Sequence, residues 1–378
     1  MLPMSDQEHV ATRPGKWITC YRSKRGCICS TMVERNSINS ERLEIKTVSG
    51  TDFEMGVSYG SLYGTLIEGF YTQELAPNPV RLKYAKKCLP FLKKYAKSSF
   101  NFIKGMAKGA NLPLEAMILL NLHEEIYHMR TSPSHCTGVI LPRKVAGSKR
   151  TIVAQNWDWQ PQLSPWAGLL RMSCKGGPRI LSYHYPGLWN CCGINSYGLA
   201  LMWTGGGYFP PVEPVAGVPT YAIIGEILRK RSVNEVLRYL NSVPRAGAFI
   251  FMLADATGAG VVVEATPKSI KYEQTSTIAY RANLFESEEI KRCSKQSKPT
   301  RKIHSTIRLA AIRNYLNKHQ SKLSLQSVKE ILGDRKVRVN FTFRSKTLDQ
   351  LVAICEERSL IVNRSCSKHG DVWVRYSV

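Results

Sequence analysis

One cysteine stands where a strand could present it as a nucleophile. Cys136 follows the break at residues 133–135 and precedes the apolar run 137–141, and the segment Gln155-Asn156-Trp157-Asp158-Trp159 follows after a hairpin turn. If the chain is cut before Cys136, that residue carries both a thiol and a free α-amine, whose ordinary pKa of about 7.7–8.0 lets it act as a base near neutral pH. Nucleophile and base are then combined in one residue, which is the N-terminal-nucleophile arrangement.

Other readings of these residues remain open at this point. A buried cysteine is more often an inert small hydrophobic residue than a catalyst. His123 and His128 are five positions apart, so they do not share a helix face as zinc ligands four apart do. The glycine-rich segment 255–260 lies between two strand patterns and predicts a hairpin turn rather than a phosphate site. The eleven cysteines include no paired CxxC ligands, so we expect neither a metal nor another cofactor.

The composition is that of a globular protein. The 378 residues are 43% hydrophobic and 21% charged, which excludes a wholly disordered, collagenous or coiled-coil chain. No apolar run is long enough to span a membrane, and none follows Met1, so we expect no membrane span and no signal peptide. The odd cysteine count favours a reducing compartment, and we therefore expect a cytoplasmic location.

The chain is strongly basic, with 53 Lys and Arg against 28 Asp and Glu and a formal charge of +25. This favours either a solvated basic surface or an anionic partner. A nucleic-acid-associated protein would show an affinity that falls steeply with salt, but no nucleic-acid-binding motif is present and we expect no such partner.

The hydrophobic patterns divide the chain into helical and strand regions. Residues 1–42 lack periodicity and predict a flexible tail, while residues 43–378 form one domain. Helices are predicted over residues 53–70, 79–108 with a break at Leu89-Pro90, and 112–129, and a strand over 137–141. Further strand patterns cover residues 43–48, 151–156, 169–173, 180–185, 199–203, 249–254, 261–264, 351–355 and 360–362, and further helical patterns cover 221–229, 233–240, 303–317 and 324–332. This order predicts an α+β fold with helices outside antiparallel sheets.

From about residue 43 to its C-terminus the chain resembles the acyl-coenzyme A:6-aminopenicillanic acid (isopenicillin N) acyltransferase family. These are N-terminal-nucleophile cysteine hydrolases, and the family includes β-alanyl-dopamine hydrolase. Cys136-Thr137 together with residues 155–159 is the most specific part of the match. The other landmarks, in the same order along the chain, are residues 50–56, 120–122, 193–199, 264–267 and Asn283.

The resemblance implies a four-layer αββα sandwich and a precursor that cleaves itself between His135 and Cys136. The products would be a helical α chain (43–135) and a catalytic β chain (136–378) that remain associated. It also assigns roles to residues: Cys136 is the nucleophile, Asp158 orients the α-amine, Asn283 supplies the oxyanion hole and Arg308 lies near the pocket, which Gln155, Trp157, Thr204 and Arg344 would line. Without the resemblance, Asn283 would be interpreted as a turn residue.

Three departures from the family pattern bear on function. His135 stands where relatives usually have Gly, Thr204 replaces an Asn, and the surroundings of Asn283 differ. The resemblance nevertheless implies a self-processing amidohydrolase or acyltransferase for a small-molecule amide or acyl-CoA-like thioester. The alternative is a catalytically silent relative that binds a partner through its basic surface.

Overall fold

The computed structural model describes residues 7–13, 16–23, 26–31, 42–75, 77–130, 136–206, 215–293, 299–319, 323–341, 345–365 and 371–378. His135 and Arg344 lie outside these residues. The chain divides into two compact units, Met1–Ser40 and Glu41–Val378. Within the described ranges, no helix has the length and apolar character that crossing a bilayer requires. The predicted cytoplasmic location stays a prediction.

The first unit contains a small antiparallel sheet. Its strands are β1 (Gln7–Arg13), β2 (Lys16–Ser23) and β3 (Gly26–Thr31), with β2 in the middle. The predicted flexibility of residues 1–42 is not tested by this assignment and stays a prediction, as does the division at residue 135.

The predicted helical regions of the second unit all contain helices, but the chain leaves the helical conformation at Ala96 and Leu122, and the short helix Glu288–Cys293 was not predicted. The bounds are α1 (Asp52–Leu75), α2 (Pro79–Tyr95), α3 (Lys97–Gly109), α4 (Leu114–Asn121), α5 (His123–Arg130), α6 (Thr220–Ile227), α7 (Val233–Ser242), α8 (Glu288–Cys293), α9 (Pro299–Lys318) and α10 (Leu325–Gly333). The break predicted at Pro90 is wrong, because Pro90 lies inside α2 and the chain leaves the helix at Ala96. A proline cannot donate the backbone hydrogen bond of a helix interior. Packing of the buried face of α2, which includes Tyr84 and Leu92, compensates for that loss.

Glycines let α1 and α3 pack with their backbones in close contact. A Cβ at Gly105 of α3 would lie 2.1 Å from the carbonyl oxygen of Phe53, and one at Gly56 of α1 would lie 2.2 Å from that of Phe102. Only glycine fits such a close approach of two helix backbones. The pair forms the main part of a helical layer that also includes α4 and α6.

The strands of the second unit form two large sheets. Their bounds are β4 (Ile45–Gly50), β5 (Thr137–Leu141), β6 (Ile152–Trp159), β7 (Gly168–Cys174), β8 (Arg179–Tyr185), β9 (Leu188–Asn195), β10 (Ala200–Gly205), β11 (Phe249–Ala254), β12 (Gly260–Ala265), β13 (Ile270–Gln274), β14 (Ala279–Arg281), β15 (Asn340–Phe341), β16 (Ser345–Ile354), β17 (Ser359–Arg364) and β18 (Trp373–Ser377). One sheet has the order β13-β12-β11-β10-β9-β8-β7-β4, and the other has the order β14-β5-β6-β16-β17-β18 with β15 beside β16.

One strand pair corrects the prediction of purely antiparallel sheets. At the edge of the first sheet β4 pairs with β7 in parallel, from Ile45 opposite Leu169 to Gly50 opposite Cys174. A parallel pair needs a long crossover, and here five helices and two strands lie between the two partners in the chain.

The two sheets face each other between two helical layers. β10 and β11 of the first sheet contact β5 and β6 of the second. Helices α1 and α6 pack on the outside of the first sheet, and α9 and α10 pack on the outside of the second. The predicted four-layer αββα sandwich is thereby confirmed. Strands β6, β9, β10 and β11 are buried along their full lengths, because each lies between a sheet and a helical layer.

Candidate active site

The site is built around the start of β5. Cys136 immediately precedes this strand and is 2% exposed, and its Sγ lies 4.0 Å from the carbonyl oxygen of Asp158. In the β5–β6 hairpin, Thr137 pairs with Asn156, so Cys136 lies beside Trp157 when the register is continued by one residue. The sequence therefore places the thiol and the end of β6 side by side through a single hairpin.

Strand alternation sends the side chains of this hairpin to two opposite faces. On the helix-facing side, Asn156 Nδ2 donates to the carbonyl oxygen of Leu332 in α10 at 3.0 Å. On the sheet-facing side, Gln155 Oε1 accepts a hydrogen bond from the backbone N–H of Trp203 in β10 at 2.7 Å. Asp158 thus shares the helix-facing side with Asn156, and Trp157 shares the sheet-facing side with Gln155.

Arg308 connects the components of the helix-facing side. Its Nη1 donates to the carbonyl oxygen of Cys136 at 2.8 Å and to Thr137 Oγ1 at 2.6 Å, and its Nη2 donates to Asn283 Oδ1 and Ser305 Oγ, both at 3.1 Å. The side chain is 3% exposed. Burial lowers the pKa of the guanidinium, but an arginine remains protonated in proteins. A fixed positive charge therefore lies against the backbone of Cys136.

Asp158 is the acidic partner of this charge. Its Oδ2 lies 3.9 Å from Arg308 Nη1, and its Oδ1 accepts a hydrogen bond from Thr347 Oγ1 at 2.6 Å. Complete burial raises the pKa of the Asp158 carboxyl to about 7, although Arg308 and then Thr347 act to lower it. Oδ2 has no hydrogen-bond partner in the described parts of the chain. The carboxyl can therefore change its charge near neutral pH and still accept one further donor.

Asn283 reaches the site because β14 pairs with β5, and the chain then turns back past the nucleophile. Asn283 Oδ1 faces Arg308, which orients the amide, and Nδ2 donates to the carbonyl oxygen of Gly205 at 3.1 Å. Because an amide nitrogen carries two hydrogens, one remains for a substrate oxygen. Thr204 Oγ1 donates to the carbonyl oxygen of Ala282 at 3.0 Å and so joins the end of β10 to the segment that carries Asn283.

The structure brings together four of the predicted residues, Cys136, Asp158, Asn283 and Arg308, through direct contacts. Gln155 and Trp157 lie on the sheet-facing side, and Thr204 contacts the loop of Asn283. His135 and Arg344 cannot be placed, because they lie outside the described residues. Sequence reasoning missed Thr347, which has no local signal in β16 and becomes relevant only because β16 pairs with β6.

Sequence reasoning also missed a buried ion pair close to Trp157. Asp349 in β16 is paired in register with both Trp157 and Arg364. Its Oδ1 accepts from Arg364 Nε at 3.2 Å and its Oδ2 accepts from Tyr183 Oη at 2.6 Å. Burial raises the pKa of Asp349, while Arg364 and Tyr183 act to lower it. Arg364 also donates to the carbonyl oxygen of Ser164, so this pair anchors the 3-10 helix (Pro161–Trp166) that follows β6.

Comparison with known proteins gives a family match and several structural likenesses. The sequence model described as acyl-coenzyme A:6-aminopenicillanic acid acyl-transferase matches residues 145–356, which is more than half of the chain and begins after Cys136. A search of curated protein sequences found no match.

Among solved structures, two variants of conjugated bile acid hydrolase from Clostridium perfringens each share 13% sequence identity with this chain, and their TM-scores are 0.46 and 0.42. Both alignments cover 64% of this chain and 97% of the other. Penicillin V acylase from Agrobacterium tumefaciens also shares 13% identity, with a TM-score of 0.34 over 65% of this chain and 84% of the other.

Proposed function

The chain belongs to the acyl-coenzyme A:6-aminopenicillanic acid acyl-transferase family, and from this membership we propose that it is a self-processing cysteine amidohydrolase or acyltransferase whose nucleophile is Cys136. The observation that carries the proposal is a network at the start of β5: Cys136 contacts the backbone of Asp158 and the guanidinium of Arg308, and Arg308 in turn contacts the Asp158 carboxyl and Asn283. A structural cysteine has no need of a buried, ionisable carboxyl and a buried guanidinium against its backbone.

Self-processing needs no reagent other than water. The Cys136 thiol attacks the carbonyl carbon of residue 135, the C–N bond breaks, and the thiol hydrogen ends on the nitrogen of Cys136. The resulting thioester is then hydrolysed by water, which frees the thiol and leaves a carboxyl group on the α chain. Arg308 holds the carbonyl oxygen of Cys136, so the residue keeps its position while the bond on its amino side is exchanged.

The new α-amine then serves as the base for substrate turnover. It takes the thiol proton, the thiolate attacks the acyl carbonyl, and the developing oxyanion is stabilised by the remaining Nδ2 hydrogen of Asn283 and a backbone N–H. The leaving amine or thiol takes a proton from the α-ammonium, and water or an amine then receives the acyl group from the thioester. Asp158 Oδ2, which accepts no hydrogen bond from the described residues, is the acceptor that we assign to the α-ammonium.

The α and β chains are expected to stay together after cleavage. β4 of the α chain contributes the edge strand next to β7 of the β chain. Near the new α-chain end, Glu125 Oε1 accepts hydrogen bonds from the backbone N–H and the hydroxyl of Thr220, at the start of α6. These contacts cross the proposed cut and do not depend on an intact peptide bond.

Intact-mass measurement of purified protein tests the proposal. We expect wild type to give two fragments that meet at the 135/136 bond, and an acyl-enzyme adduct on the β chain after incubation with an activated acyl ester. Cys136→Ala should give one uncleaved chain and no adduct. The matched control Cys174→Ala removes a cysteine on β7, away from the site, and should behave as wild type. An uncleaved and unacylated wild-type chain would overturn the proposal in favour of a silent, partner-binding relative.

A further inference from the structure

We propose that the acyl subsite lies between the two sheets and that Gln155 and Trp157 there bind an uncharged carbonyl oxygen of the acyl group. The preferred substrates are therefore acyl donors that carry a second carbonyl a few atoms beyond the scissile one. The inference rests on the proposed function, because it takes Cys136 as the nucleophile.

Two buried hydrogen-bond donors next to Cys136 have no partner. Gln155 Nε2 and Trp157 Nε1 are both fully shielded, and neither has a hydrogen-bond acceptor in the described parts of the chain. Exchanging the oxygen and nitrogen positions of the Gln155 amide would not satisfy the donor, because Oε1 already accepts a hydrogen bond from the backbone N–H of Trp203. A buried donor without a partner destabilises a fold, so two neighbouring ones point to an acceptor that is supplied from outside the chain.

Both donors lie on the same side of the hairpin as the thiol. Continuing the β5–β6 register places Cys136 opposite Trp157, and directly opposite residues of an antiparallel pair project to the same face. Burial and then Cys136 raise the pKa of the Cys192 thiol on β9, a strand of the facing sheet. The Cβ of Gln155 is then the diagonal neighbour, roughly 7–8 Å from that of Cys136. The proposal therefore places the first atoms of an acyl chain attached to the thiol on the face that carries these donors.

The surroundings favour an apolar chain with one neutral acceptor. The ring of Trp157 lies 5.4 Å from that of Tyr183 and 6.2 Å from that of Trp203, measured between centroids. Of the cations within the described ranges, Arg364 is paired with Asp349, and Arg308 is paired with Asp158 on the opposite side of β6. A carboxylate here would be buried without a counter-charge, which is strongly unfavourable, whereas a ketone or amide oxygen needs only the two donors.

The test compares matched 4-nitrophenyl esters and measures nitrophenolate release, with the rate of Cys136→Ala subtracted. The thiolate displaces 4-nitrophenolate, so the C–O bond breaks as the thioester forms. We expect kcat/KM for the 4-oxopentanoyl or 5-oxohexanoyl ester to exceed that of its pentanoyl or hexanoyl counterpart by about tenfold. Trp157→Phe keeps a ring but removes the N–H, and it should lower this ratio about 3- to 10-fold. Gln155→Met should act in the same direction.

The matched control is Trp189→Phe. Trp189 also has a buried indole N–H with no acceptor among the described residues, but its ring stacks on Phe102 of the helical layer. This variant should leave the ratio unchanged. Equal rates for oxo and alkyl esters in a wild type that acylates Cys136 would overturn the subsite alone, and so would a faster rate for the glutaryl ester, which carries a carboxylate. Absence of any Cys136-dependent acylation would overturn the proposed nucleophile and this inference with it.

Discussion

Replacing Arg308 with glutamine should destabilise the protein by an amount that grows as the pH rises above about 7. Arg308 makes hydrogen bonds to four groups at the site and is the nearest cation to Asp158. Glutamine is shorter and neutral, so it loses most of the hydrogen bonds and the counter-charge. The matched control is Arg313→Gln, on the same helix α9 but exposed to solvent.

The magnitude follows from the protonation of Asp158. Burial raises the pKa of Asp158 in the folded state to about 7, well above the ordinary value of 3.8. The free energy of unfolding therefore falls as the pH rises from about 3.8 to about 7. At about pH 5.5 the carboxyl is neutral in both proteins, and the loss is that of the hydrogen bonds, roughly 2–3 kcal/mol. In Arg308→Gln the pKa of Asp158 rises further, because the guanidinium that lowers it most in wild type is absent. Above about pH 7 wild type ionises before the variant does, so the difference grows by at most about 1.4 kcal/mol per pH unit and reaches at most roughly 4–5 kcal/mol at about pH 8.5.

Urea unfolding of both variants and wild type at about pH 5.5 and 8.5 gives these differences directly. The Cys136→Ala background keeps every chain uncleaved, so that self-processing does not enter the comparison. Arg313→Gln should cost less than about 0.5 kcal/mol at either pH, as an exposed substitution does. The reasoning is refuted if the loss for Arg308→Gln is the same at both pH values, or if Arg313→Gln matches it.

Three further outcomes are expected. Gly105→Ala should lower the free energy of unfolding in urea by several kcal/mol, because its Cβ would lie 2.1 Å from the carbonyl oxygen of Phe53. The control Gly69→Ala in α1, whose Cβ would have nothing within 4 Å, should raise it by roughly 0.5–1 kcal/mol. A similar loss for both variants would contradict the close packing of α1 and α3. Asp255→Ala should cost about 1–2 kcal/mol by thermal unfolding, since Asp255 Oδ2 accepts the first N–H of α7 from Val233, and an unchanged midpoint would show that this cap contributes nothing. Finally, the processed chains should co-elute in gel filtration and separate only in denaturant; separation in native buffer would contradict the proposed association.

The sequence predicted the fold best in segments with a continuous apolar run or a single clear hydrophobic period. β5 and β11 have the predicted bounds, because each is a short apolar run that ends at turn residues. β9 was missed, because its central residues Cys191-Cys192-Gly193 neither alternate nor belong to the strongest strand formers. The break at Pro90 was wrong because a local rule was applied where tertiary packing of α2 is stronger.

The candidate site divides in the same way. Cys136 and Asp158 belong to one hairpin, so their proximity follows from a local pattern that the sequence displays. Asn283 and Arg308 were placed by family resemblance alone, since no spacing rule connects them to residue 136. Thr347 and the Asp349–Arg364 pair had no signal at all, because their partners come from other strands.

The amino-acid sequence alone determined the α+β class, the hairpin that carries the thiol and the residue types able to do acyl chemistry. Periodicity and turn residues act over a few positions, so they encode such local features directly. Only the tertiary structure decided that one guanidinium contacts Cys136, Asp158 and Asn283, that burial raises the pKa of Asp158 to about 7, and that two donors on the thiol's side of the hairpin have no acceptor within the described ranges. Burial and long-range pairing produce these properties, and both depend on which distant segments fold against each other.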